Sequence, residues 1–212
     1  MDMLLSAETY RDMYLEGKDE SSVKEEAVKL RREIARLKYK MESPSYPFET
    51  HPFPSEYDQL SACRSYLNEA NERLLALGVT PEYSEEELLN RDFSNNADCI
   101  RKVSLAIGTY LDHCYELRIY DSEATLCRIS GGNKSVEVSL DREKVISSLL
   151  TLNMGEWRDS YLPEHYGSSF SEPVRWRLLI EFSNSFAPRF YEGVGVFPYN
   201  FDKLKRLLGV ED

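Results

Sequence analysis

The sequence predicts an α+β protein, with an N-terminal antiparallel helical hairpin followed by an antiparallel sheet that carries helices on one side. Three observations predict it. Two long apolar seams at helical spacing lie before residue 80. A proline-rich connector separates them. Beyond residue 100 the apolar pattern changes to two-residue alternation, the period of a half-buried strand.

Ser6 to Leu15 reads as a short helix ended by Gly17. Ser22-Val-Lys-Glu25 has the form of a capping box, in which hydroxyl and carboxylate satisfy orphan amides at a helix start. The helix behind it, about 22–41, carries Val23, Ala27, Leu30, Ile34, Leu37 and Met41 on one narrow seam. Pro44, Pro47, Pro52 and Pro54 break any helix, since each lacks an amide proton and fixes φ. Glu42–Ser55 is therefore an extended connector, and Tyr46, Phe48 and Phe53 are expected to pack it against the body.

A second long helix, about 56–77, is closed by Gly78, and its seam is Leu60, Cys63, Leu67, Ala70, Leu74 and Leu77. Matched seams favour intramolecular pairing, because the second seam is already tethered; a homodimer through the seams is the alternative. Ser84-Glu-Glu-Glu87 opens a short helix to about Arg91, and Asp98–Lys102 reads as a further turn.

Val103, Leu105 and Ile107 then alternate with Ser104, Ala106 and Gly108. Cys114–Tyr120, Ala124–Ile129 and Ser135–Leu140 continue as strands, with Gly131-Gly132-Asn133 as a hairpin turn. Asp141 caps a helix bearing Val145, Ile146, Leu149 and Leu150. Trp176, Leu178, Ile180 and Phe182 alternate with charged residues in a half-buried strand, and Arg189–Tyr191 is its partner. Asn200 caps a last helix, Phe201 to Leu208, closed by Gly209. The organisation is a helical region 1–100 and an α+β region 101–212, folding as one cooperative unit.

The 212 residues are 42% hydrophobic and 30% charged, which excludes a disordered tail, and no apolar run is long enough for a spanning helix. The start carries acids where an export signal needs bases, so the expectation is a soluble, cytoplasmic protein with no membrane partner. Cys63, Cys99, Cys114 and Cys127 show no CxxC pair and read as buried reduced thiols. Net charge is −11, which makes nucleic acid an unlikely partner. The charge is segregated. Residues 22–41 hold seven bases against three acids, and residues 82–98 hold six acids against Arg91.

His51, His113 and His165 are not paired at ligand spacing, and no phosphate loop, GxSxG elbow or HExxH stands in the chain, so no metal, cofactor or catalytic residue is assigned. His113 and Cys114 are strand neighbours and would point to opposite faces, which is wrong for a base and its nucleophile. Two regions remain as candidates. In Gly155–Gly167 the residues Glu156, Trp157, Arg158, Tyr161, His165 and Tyr166 gather in a loop, either as a ligand site or as core packing. On the charged helices, Arg31, Arg32, Arg36 and Lys38 form a basic candidate surface. Glu85, Glu86 and Glu87 form an acidic one able to mimic phosphates.

Several stretches taken together resemble an uncharacterised clostridial (Firmicutes) family of unknown function. They are Ser6-Ala-Glu-Thr-Tyr-Arg-Asp-Met-Tyr-Leu-Glu-Gly-Lys18, Leu30-Arg-Arg-Glu-Ile-Ala-Arg-Leu-Lys38, Gly155-Glu-Trp-Arg158, Tyr166-Gly167, the strand Trp176–Asn184, and Phe197-Pro-Tyr-Asn-Phe201. The sequence departs from that pattern at Gly108–Asp112 and at Gly193–Val196. The resemblance implies a bacterial source and a shared fold, and carries over no catalytic residue. The leading expectation is a non-enzymatic interaction protein of a bacterial accessory or mobile-element gene set, with another protein as partner. An inhibitor of a nucleic-acid-handling enzyme acting through residues 82–98 is a special case. The alternatives are a small-ligand binder or enzyme using the 155–167 loop, and a nucleic-acid module on helix 22–41.

Overall fold

Each helix of the N-terminal half begins where a short polar side chain captures an orphan amide. In the computed structural model, which describes residues 4–46, 53–130 and 133–210, Ser6 Oγ accepts from Thr9 N at 3.1 Å. It opens α1, Ala7–Tyr10, which continues into a π-helical turn at Arg11–Leu15. Asp19 Oδ1 accepts from Ser22 N at 2.9 Å and opens α2, Glu20–Glu42. The expected capping box at Ser22 is thus pre-empted, because Asp19 supplies the acceptor one turn earlier. Ser55 and Asp58 form a reciprocal capping box on α3, Glu56–Ala76.

The chain divides into two units, Met1–Tyr83 and Ser84–Asp212. In the first, Val23, Ala27 and Leu30 of α2 share one buried cluster with Leu67, Ala70 and Leu74 of α3. The two seams therefore cover each other inside one chain, which is the intramolecular alternative, and they are not left open for a seam-to-seam dimer. The end of α2 is tied to the start of α3, as an antiparallel hairpin requires. Lys40 Nζ and the Tyr46 hydroxyl donate to the two carboxylate oxygens of Glu56 at 2.6 and 2.7 Å. Glu56 is 3% exposed. Burial would raise its pKa, but the bonds from Lys40 and Tyr46 outweigh that and hold it down at about 2. Of the connector aromatics expected to pack, Tyr46 does so, but Phe53 is 74% exposed; Phe48 and His51 lie outside the described residues.

The second unit starts with α4, Glu85–Asn95, on the expected Ser84/Glu87 capping box but running past Arg91. This helix belongs to the same unit as the sheet, and that unit begins at Ser84. A 3-10 turn at Ala97–Cys99 leads into β1, Ile100–Gly108, so the turn read at Asp98–Lys102 ends at Cys99 and gives way to strand. The other strands are β2 (His113–Ile119), β3 (Glu123–Ser130), β4 (Asn133–Asp141), β5 (Ser160–Tyr161), β6 (Arg175–Phe182) and β7 (Arg189–Val194). The remaining helices are α5 (Arg142–Leu150), capped by Asp141, and α6 (Phe201–Leu207).

The sheet order is β4-β3-β2-β1-β6-β7-β5. All neighbours are antiparallel except the two-residue β5, parallel to β7, so the sheet is mixed at one edge. Strands β3 and β4 pair through Ser130↔Asn133; the expected turn residues Gly131 and Gly132 lie outside the described residues.

One face of the sheet builds the core. Val103, Leu105, Ile107, Leu117, Trp176, Leu178 and Ile180 form a single buried cluster with Val145, Ile146 and Leu149 of α5 and Phe201 and Leu204 of α6. Trp176 sits fully buried at its centre and donates Nε1–H to the Val196 carbonyl at 2.8 Å. Gly193 makes this possible, since a Cβ there would run into the Trp176 indole and lie 2.7 Å from Val196 O. Asn200 stands at the cap of α6 as expected, but its side chain makes no cap bond. Its side chain is used in the core, accepting from Trp157 Nε1 at 3.1 Å and donating to Leu152 O at 2.7 Å.

Candidate interaction surface

Alternation along a strand gives a sheet two faces, and the register decides what meets on each. On the face opposite the core, β2, β1, β6 and β7 align three cross-strand rows. The first runs Cys114↔Ala106↔Arg177↔Glu192 and the second Glu116↔Ser104↔Leu179↔Phe190. The third runs Arg118↔Lys102↔Glu181.

Small side chains therefore fall together on the two central strands, while larger ones flank them. The result is a shallow depression of about 200 Å³ floored by Ser104, Ala106 and Cys114 and walled by Ile129, Leu179 and Phe190. Ser104 Oγ is shielded in that floor and makes no hydrogen bond. Such an orphan hydroxyl costs stability on a face that exists only to be solvated.

Charged pairs border the depression. Glu116 accepts from Arg118 Nε at 2.6 Å and pairs with Lys102 Nζ at 2.9 Å. Burial works to raise its pKa, but the bonds from Lys102 and Arg118 prevail and hold the carboxyl below its ordinary value. Glu181 pairs with Arg101 at 3.2 Å and Lys102 at 3.6 Å. A bulge between Ile100 and Lys102 brings two consecutive residues to one carboxylate. Arg177 Nε lies 3.4 Å from Glu192.

The 155–167 segment is different. Trp157 is 5% exposed, packs edge-on to Tyr191 at 5.5 Å and is anchored by Asn200. Tyr161 is buried beside Trp176, and its hydroxyl accepts from Arg158 N at 3.2 Å. The Arg158 side chain lies at the surface, where it donates to the Tyr166 hydroxyl at 3.3 Å. His165 is exposed and Glu156 half-buried. Trp157 and Tyr161 are thus built into the core, while Arg158 and Tyr166 meet at the surface.

The charged-helix candidates also separate. Lys38 is buried and Arg31 half-buried, while Arg32 and Arg36 are exposed, so the four bases do not form one exposed strip. Arg36 is held by Glu33 at 2.6 Å, an i,i+3 pair. Glu85 and Glu86 are exposed, but Glu87 accepts from Ser84 N at 2.7 Å and is committed to the cap.

All four cysteines are free. Cys127 is fully buried, but Cys63, Cys99 and Cys114 are only half-buried, short of the burial expected for all four. Burial pushes the Cys63 thiol up to about 11. A second recess of about 470 Å³, in the first unit, lies between Leu4, Leu5, Phe53, Ala62 and Tyr66.

Among the described residues no group of three His, Cys, Asp or Glu side chains is placed to hold a metal, and no helix is long and apolar enough to cross a membrane. The depression on the sheet was invisible to strand-by-strand reading, because Ser104, Ala106 and Cys114 look like ordinary polar-face positions until the register sets them side by side. The chain matches no protein-family model, no curated protein and no solved structure.

Proposed function

We propose that this protein acts by binding another protein, and that the docking surface is the face of the C-terminal sheet opposite its core. The observation that carries the reading is the depression floored by Ser104, Ala106 and Cys114, an apolar hollow bordered on two sides by ion pairs. An apolar centre with a polar rim is the anatomy of a protein interface. Phe190, 47% exposed on the wall, is an aromatic anchor of the kind that dominates interface energetics. A bacterial accessory protein that works through a partner fits this design, since the surface supplies complementarity without reacting groups.

The test fills the hollow. Ala106→Trp, on the open face, blocks the depression while leaving the core face unchanged. Wild type and variant, immobilised at equal density, are exposed to an extract of the source organism under gentle conditions. A protein retained by wild type and lost by the variant supports the reading. Recovery of neither, or of the same protein with both, overturns it.

A further inference from the structure

Resting on that reading, we infer that the partner presents an acidic segment carrying one large apolar side chain, which enters the depression between Leu179, Phe190 and Ile129. Two observations select this occupant over others.

The first is size. Small-molecule sites occupy about 300–1,000 Å³, and the depression offers about 200 Å³. That admits one side chain of Phe or Leu size and falls short of a cofactor. The floor agrees in size, because Ser104, Ala106 and Cys114 are all small side chains.

The second is the height of the charges. The ion pairs are not level with the surface. The side chains of Arg101, Arg118 and Arg177 are 58, 46 and 58% exposed, whereas those of Glu116 and Glu181 are 12 and 25% exposed. Glu192, the partner of Arg177, is itself 44% exposed, but in each of the three pairs the guanidinium is the more exposed member. On a chain of net charge −11, this face therefore meets an approaching partner with cations. Guanidinium forks suit carboxylates in particular, presenting five donors in a planar array. A basic or neutral partner would offer these arginines no carboxylate beyond those they already hold.

A random dodecapeptide display library, selected on the full-length protein at low salt, tests the inference. The expected result is enrichment of sequences with Asp or Glu around one Phe, Trp or Leu. Their binding, measured by fluorescence polarisation, should fall at least tenfold on Ala106→Trp and on Arg177→Glu, and several-fold in 0.5 M salt. Thermal melts of both variants, with Arg177→Gln as a milder substitute, show that the fold is kept.

Enrichment of basic or uncharged peptides that still lose binding on Ala106→Trp overturns the acidic occupant while sparing the docking surface. No enrichment, or peptide binding that ignores Ala106→Trp, removes both. Self-association in sedimentation that Ala106→Trp abolishes assigns the face to a second copy of the chain and also overturns the inference.

Discussion

The same strands present two faces built on opposite rules. Toward the helices, Trp176, Leu178 and Ile180 are fully buried and Val103, Leu105 and Leu117 meet them in one cluster. On the other side, at the intervening positions, Ser104, Ala106, Arg177 and Leu179 line a shallow hollow with ion pairs beside it. The core face gains free energy by removing apolar area from water, at about 25 cal/mol per Å². The open face gains nothing comparable within the chain, and it tolerates a shielded hydroxyl with no partner. The contrast teaches that stability and binding are assigned here to alternate residues of one segment, so substitutions one position apart should have effects of different kinds.

The largest effect is expected on the core side. Trp176→Ala removes the fully buried ring against Tyr161, Phe197 and Phe201 and the bond to Val196. Urea denaturation should show a loss of about 3–5 kcal/mol; a loss below 1 kcal/mol would mean that this face is not the core it looks to be.

An intermediate effect is expected away from the sheet, where a buried carboxylate ties the end of α2 to the start of α3. The Glu56 carboxyl sits at about 2 in place of its ordinary 4.5, so its contribution is complete above pH 4.5 and disappears as pH falls through about 2. Glu56→Gln should cost about 1.5–3 kcal/mol at neutral pH. Thermal melts of variant and wild type should converge between about pH 4.5 and 2; a gap that persists at the acid end would contradict the assignment.

The smallest effect sharpens the contrast of the two faces. Phe190→Ala, on the open wall, should shift stability by no more than about 0.5–1 kcal/mol. Chemical denaturation checks it directly, and a core-sized loss would erase the distinction between the faces.

The architecture was readable from sequence wherever the signal was local. Trp176 to Phe182 announced a half-buried strand by alternation alone, and the Ser84/Glu87 box marked a helix start from four residues. Reading failed where a side chain's fate depends on something distant. Trp157 looked like part of a site until Asn200, 43 positions on, turned it into core packing. Asp19 displaced Ser22 as a cap because a competing acceptor stood one turn upstream. The hollow on the sheet depends on register among β1, β2 and β6, and no single strand encodes it.

Cys114 lends the hollow one more property. Its thiol lies half-buried in the floor and unbridged, whereas Cys127, its neighbour on the same face, is sealed off. Anything seated above it must slow its reaction with an alkylating reagent. The molecule thus carries its own occupancy reporter, readable as a rate by mass spectrometry without a label added to either party.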